Sequence, residues 1–185
     1  MSSTKDTSQS VSFVDLLAKT GSQSLEADGS AKPGDAYQKL AFFSFGAVFV
    51  EVKVDPDLGE VRVTRVVGVY DVGKVLNPLL ARSQIMGGIT FGIGMALMEA
   101  TIPDLATGRM VNANLTEYHL PVFTDVPPDF AIEFLDIPDQ NMAANGARGL
   151  GEIGIVGVAA AIANAVYHAT GKRIRDLPIT PDKLV

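Results

Sequence analysis

The stretch "GARGLGEIGIVGVAAAIANAVYHATG", residues 146–171, decides how this chain is to be read. Gly149, Gly151 and Gly154 stand in G-x-G-x-x-G spacing, and a long apolar segment follows. A dinucleotide fingerprint has that spacing. It also needs a hydrophobic strand directly before the glycines and an acid at the end of a second strand about 20 residues on. Here "QNMAANGAR" precedes the glycines, and no second strand ends at Asp176. Glu152 moreover stands where a pyrophosphate would approach, like charge against like. A dinucleotide-binding protein is therefore the weakest functional reading. Glu152 has no other acid near it from Gln140 to Tyr167, and it sits at the mouth of an apolar helix expected over 153–170. Two roles suit it: a helix cap, stabilised by the dipole by about 0.3–1 kcal/mol, or a reactive carboxylate to which glycines give access.

Upstream, "GAVFVEVKV" (46–54) alternates, with Val48, Val50, Val52 and Val54 on one face and Glu51 and Lys53 on the other. "DPDLG" (55–59) is turn chemistry, and "EVRVTRVVGVY" (60–70) resumes as a strand, so a β-hairpin is expected. Asn77 and Pro78 form an N-cap and N1 pair opening a helix through about Glu99. Gly87, Gly88, Gly92 and Gly94 lie inside it, each costing about 1 kcal/mol against alanine. Such crowding implies that another backbone, or a ligand, comes very close. "FAIEFLD" (130–136) reads as a short strand, 153–170 as a helix buried on nearly every side, and "RIRDLPITPDKLV" as an extended tail. The fold class expected is α+β: a hairpin and short strands packed with two buried apolar helices. Residues 1–37 are expected to be a polar, mobile segment with a short helix at "FVDLLAK", and 38–185 the folded domain.

Composition narrows the function. Of 185 residues, 47% are hydrophobic, enough for a core, and the net charge of −6 argues against nucleic acid and anionic membranes. The absence of cysteine rules out disulfides, thiolate metal sites and an iron–sulfur cluster within the chain. Its two histidines, His119 and His168, have no acids at ligand spacing, so no side-chain metal site is expected, and His168 reads as a core or helix-terminal residue. "MSSTKDTSQS" lacks the apolar region of a signal peptide. The apolar run Ile85–Met98 falls short of the ~20 residues a membrane span needs. A soluble protein without a membrane span is expected, cytoplasmic or exported to the periplasm with a partner.

A broader likeness tips the balance at Glu152. Three blocks together resemble the C-terminal part of the molybdenum-cofactor subunit of the xanthine dehydrogenase and aldehyde oxidoreductase family, closest to its bacterial aldehyde oxidoreductase branch. They are "FGAVFVEVKVDPDLGEVRVTRVVGVYDVGKVLNPLLARSQIMGGITFGIGMALMEA", "LTEYHLPVF" and the run from Gly146 to Val185. The resemblance implies oxidation of aldehydes or N-heterocycles with oxygen derived from water. It implies a molybdenum–pterin cofactor, with electrons leaving through iron–sulfur and FAD groups on partner chains. Glu152 matches the family's G-x-G-E glutamate, the catalytic base, with Gly151 beside it. Gln84, Gly87 and Gly88 match its pterin-contacting Gln-x-x-Gly-Gly/Ala segment. Two departures are G-E-I in place of the commoner G-E-P, and Arg148 where lysine is frequent. The family's intact subunit is much longer, so the expected partners are the missing N-terminal part of that subunit, the iron–sulfur and flavin subunits and a small-molecule substrate. The chain alone is expected to lack bound cofactor and activity and to associate with itself or a partner. The alternative is a non-catalytic remnant or assembly module with the same fold.

Overall fold

The computed structural model describes residues 8, 10–21, 23, 24, 26, 28–30, 34–142 and 144–185. They fall into two units, one up to residue 32 and one from residue 33 onward. In the first, Ser12 Oγ accepts the Asp15 N–H at the start of helix α1 (Phe13–Thr20), and left-handed Gly21 ends it. The short helix expected at "FVDLLAK" is therefore present.

The second unit opens with a single helical turn, α2 (Ala36–Lys39), followed by the expected hairpin, strands β1 (Phe45–Val54) and β2 (Val61–Asp71). Val48, Val50, Val52 and Val54 turn half-buried toward the core, as the alternation demands. Asp55 Oδ1 accepts the N–H groups of Asp57 and Leu58, and Gly59 supplies the positive φ of +68° that closes the turn. A bulge between Glu51 and Val52 leaves Thr64 unpaired in the ladder, and its hydroxyl donates to Glu51 Oε1 at 2.6 Å. Strand β3 (Asp129–Phe134) lies parallel to β2, giving a mixed sheet in the order β1-β2-β3. A parallel neighbour requires a crossover. Helix α3 (Pro78–Leu97) and the irregular segment after it supply one.

Asn77 Oδ1 accepts the Leu80 N–H with Pro78 behind it, so α3 begins where expected. Ala81, Ile85, Ile89, Ile93 and Ala96 form its buried stripe, while Leu79, Leu80, Phe91 and Met95 face outward. The continuous buried helix expected over 153–170 is corrected in two respects. It breaks at Gly157 into α4 (Ile153–Val156) and α5 (Val158–Thr170). Only one side is buried, through Gly154, Val158, Ile162 and Val166. Composition alone made the segment look enclosed: over 18 residues its mean hydropathy is 1.5, long and apolar enough for a membrane-crossing helix. Seating against the sheet and α3 accounts for the buried side. His168 is exposed in the last turn of α5, a helix-terminal and not a core histidine. The tail is extended as far as a single 3-10 turn (Pro181–Lys183). It is pinned by Ile179 N–H to Ala96 O at 2.7 Å and by the buried side chains of Ile179 and Leu184.

The glycines of α3 divide by surroundings. A Cβ on Gly88 would stand 3.0 Å from Ile155 N, and one on Gly92 only 2.5 Å from Val158 Cβ; on Gly87 it would meet nothing within 4 Å. Helix packing thus explains two of them, and Gly87 is open. Gly92→Ala should lose about 1–3 kcal/mol by overpacking, whereas Gly87→Ala should gain up to about 1 kcal/mol from helix propensity alone. Urea denaturation of the two variants checks this; equal effects would show that α3 and α5 do not meet at Gly92.

Candidate functional site

The site is built where the C-terminal end of β2 meets the loop 137–152. Gly73 pairs with Ala147 in an antiparallel bridge, Arg148 N–H donates to Val72 O, and Lys74 N–H to Gly146 O, the last two both 2.8 Å. Asp136, at φ +50°, accepts the Val75 N–H on Oδ1 and pairs with Lys74 through Oδ2. These ties give an otherwise irregular loop one course across the end of the sheet.

Along that course the expected residues separate by role. Gln84, on α3, donates its Nε2–H to Gly151 O at 2.9 Å, leaving Oε1 and a second N–H for another partner. Gln84 and Gly151 are thus brought together directly. Gly88 lies against the backbone of Gly154 and Ile155, so what approaches it is protein. Gly87, Gly149 and Gly151 face open space, with nothing within 4 Å of where a Cβ would stand. Glu152 occupies the N-cap position of α4, yet its side chain accepts no capping hydrogen bond and is exposed. It makes no capping hydrogen bond, and what is left of the capping role is its charge beside the helix N-terminus. Beside Gln84 runs a cleft of about 330 Å³ lined by Lys74, Asn77, Leu80, Arg148 and Leu150. A cleft of about 360 Å³ at the other end of α3, near Leu97 and Thr124, holds none of these residues.

One feature at the site was not visible in the sequence. Arg148 bridges two acids: its Nη2 pairs with Asp71 Oδ1 at the end of β2, and its Nη1 donates to Asp139 Oδ2 at 3.2 Å. All three side chains are nearly buried. Burial alone would push the Asp71 carboxyl up, but the Arg148 guanidinium and the Gly73 N–H outweigh it and hold it below the usual carboxylate range. Hydrogen bonding to Asp71 likewise raises Arg148, against burial. An acid directly ending an apolar strand, in "YDVG", was the available signal; its partner lies far along the chain.

The donors here suit a ligand that brings its own metal coordination. They are an amide, bare glycine backbone and one carboxylate, and among the described residues no three His, Cys, Asp or Glu side chains gather to hold an ion. A Cβ at Gly87, Gly149 or Gly151 would meet nothing within 4 Å beyond its chain neighbours, so backbone is open to approach at each.

Residues 2–127 match the family described as the molybdopterin cofactor-binding domain, and the chain belongs to it. The match takes in the polar N-terminal segment as well as the hairpin and α3. The aldehyde oxidoreductase molybdenum-binding subunit PaoC of Escherichia coli K12 is 45% identical over 92% of this chain and 23% of its own length. The putative xanthine dehydrogenase molybdenum-binding subunit XdhA of the same strain is 44% identical over 76% of this chain and 18% of its own. Among solved structures, the aldehyde oxidoreductase of Desulfovibrio desulfuricans superposes with a TM-score of 0.69 at 33% identity, covering 76% of this chain and 15% of that one. The α+β fold is thus that of molybdenum hydroxylase neighbours. The chain spans about a quarter or less of the relatives it matches.

Asp71 makes acid stability testable. Its native carboxyl is more acidic than in the unfolded chain, so its contribution is complete above pH about 4 and is lost as pH falls through the depressed native value. Asp71→Asn should therefore lose stability less steeply than the native chain below pH about 4, in urea titrations at stepped pH. Parallel acid limbs would remove Asp71 from the account.

Proposed function

We propose that this chain forms part of the molybdenum–pterin site of an oxidoreductase that oxidises aldehydes or N-heterocycles with water-derived oxygen, and that Glu152 is its proton acceptor. One observation supports the reading: the Gln84–Gly151 hydrogen bond sets an amide on α3 one residue away from a carboxylate that makes no capping hydrogen bond, with open glycines at positions 87, 149 and 151. When bound, the cofactor supplies the two-electron oxidant. The chain's own residues orient and take protons. Gln84 Oε1 and its second N–H can accept from and donate to a heterocycle edge, which suits holding and orienting rather than proton transfer. Oxygen delivered from water must shed protons, and an ionised Glu152 carboxylate accepts one as the oxygen attacks. Gly87 and Gly151 keep the approach clear.

The partner reading follows from exposure and length. Leu79, Leu80 and Phe91 on α3 and Val156 on α4 are each more than half exposed, and exposed apolar patches of a few hundred Å² mark interfaces. The rest of a molybdenum subunit of the relatives' length would cover them. Iron–sulfur and FAD partners then carry the electrons away, in an enzyme of the cytoplasm or, by export with a partner, of the periplasm.

Two variants of the assembled enzyme test these roles. Glu152→Gln keeps the shape and removes the basicity, so turnover should fall by about 10²–10⁴-fold at unchanged molybdenum content. Near-normal turnover at full metal loading would end the proton-acceptor role. Gln84→Ala should instead lower molybdenum per protein, measured by metal analysis, more than turnover per bound metal. Full occupancy with slowed turnover would move Gln84 from holding to chemistry.

A further inference from the structure

We propose that Arg148, gripping Asp71 and Asp139 together, is a positioning residue that holds the Gly149–Glu152 segment, and with it the Glu152 carboxylate, at the site. The inference rests on the proposed role of Glu152. Its structural half stands on the contacts themselves.

Between Arg148 and Glu152 the chain reads Gly149-Leu150-Gly151. Glycine has the widest conformational freedom of any residue, so a segment with two of them keeps one course only where neighbours impose it. The neighbours act at alternate residues. Ser44 Oγ donates to Gly149 O, and Gln84 Nε2 donates to Gly151 O. Both are single neutral hydrogen bonds on exposed groups. Such bonds contribute about 0.5–1.5 kcal/mol each, too little to hold two glycines alone.

Arg148 is different in kind. Its side chain is nearly buried, its N–H is tied to Val72, and its guanidinium meets one acid from the sheet and one from the loop. The two acids are themselves fixed by backbone. Asp71 Oδ1 accepts the Gly73 N–H, and Asp139 Oδ1 accepts those of Asn141 and Met142. The fork therefore joins the end of β2 to a turn nine residues before it in the loop. A planar guanidinium can offer separate N–H groups to two carboxylates at once, where an ammonium acts as a point charge. Removing the guanidinium would leave two acids facing each other in a nearly buried place, and the loop would open to hydrate them.

The test is hydrogen exchange on the 185-residue chain, followed by kinetics in the assembled enzyme. Arg148→Met should speed exchange at the amides of residues 148 and 153, whose hydrogen bonds to Val72 O and Leu150 O bracket the segment, by at least about tenfold, as local opening does, with β1, β2 and α3 unchanged. Arg148→Lys should recover part of that protection, since one acid can still be paired. In the assembled enzyme Arg148→Met should lower kcat while KM and molybdenum content hold. Uniform acceleration over sheet and helix would make Arg148 a general stabiliser, and unchanged exchange at residues 148 and 153 would show that it holds nothing there; either overturns the proposal. Should Arg148→Met not fold, Asp139→Asn breaks one pair only and carries the same readout. A fully active Glu152→Gln enzyme would defeat the proton-acceptor role separately, because the exchange result does not depend on it.

Discussion

Everything at the site depends on how closely α3 and α4 approach. Gly88 and Gly154 face one another with no side chains between them; a Cβ on Gly154 would stand 2.8 Å from Ile85 O. A Cβ at either position would press on backbone, which has no flexible side chain to move aside, so the helices themselves would have to shift. The Gln84 amide reaches Gly151 only because the backbones lie this near, and that bond sets the spacing between the amide and Glu152. Two glycines that lower helix propensity thus bring together the two polar groups of the site.

The same contact explains why some glycines are enclosed and others open. Gly88, Gly92 and Gly154 meet protein, and Gly87, Gly149 and Gly151 meet none. The first set lets elements pack; the second leaves one side of the packed elements bare. At each open glycine a ligand can approach the backbone. The molybdopterin cofactor-binding domain match, over residues 2–127, takes in Gln84 and Gly87 of α3.

Much of this was legible in the sequence because its signals are local. Valine alternation placed β1 and β2, Asn77-Pro78 placed the start of α3, and Gly171 its counterpart at the end of α5. What failed were readings that need a third dimension. Apolar composition over 153–170 promised burial on all sides, yet one side is buried, since composition records what a residue tolerates and not what covers it. The glycines of α3 promised a close approach, and only packing tells Gly87 from Gly88. The Arg148–Asp71–Asp139 cluster was beyond reach, because nothing in "YDVG" or "NGAR" says that the two segments meet.

The ties at the site also set an order of assembly. The hairpin closes on a turn of a few residues, and α3 forms from bonds four residues apart. By contrast, the Gln84–Gly151 and Ser44–Gly149 bonds join residues separated by 67 and 105 positions. Long closures cost chain entropy before any contact repays it, and contacts between distant segments come late in folding. The hairpin and α3 can therefore form from local contacts, while the site, like the β2–β3 pairing and the seating of α5 on β1, waits on long closures. A chain with its hairpin and α3 formed would still lack the pocket, whose walls come from segments far apart in the sequence.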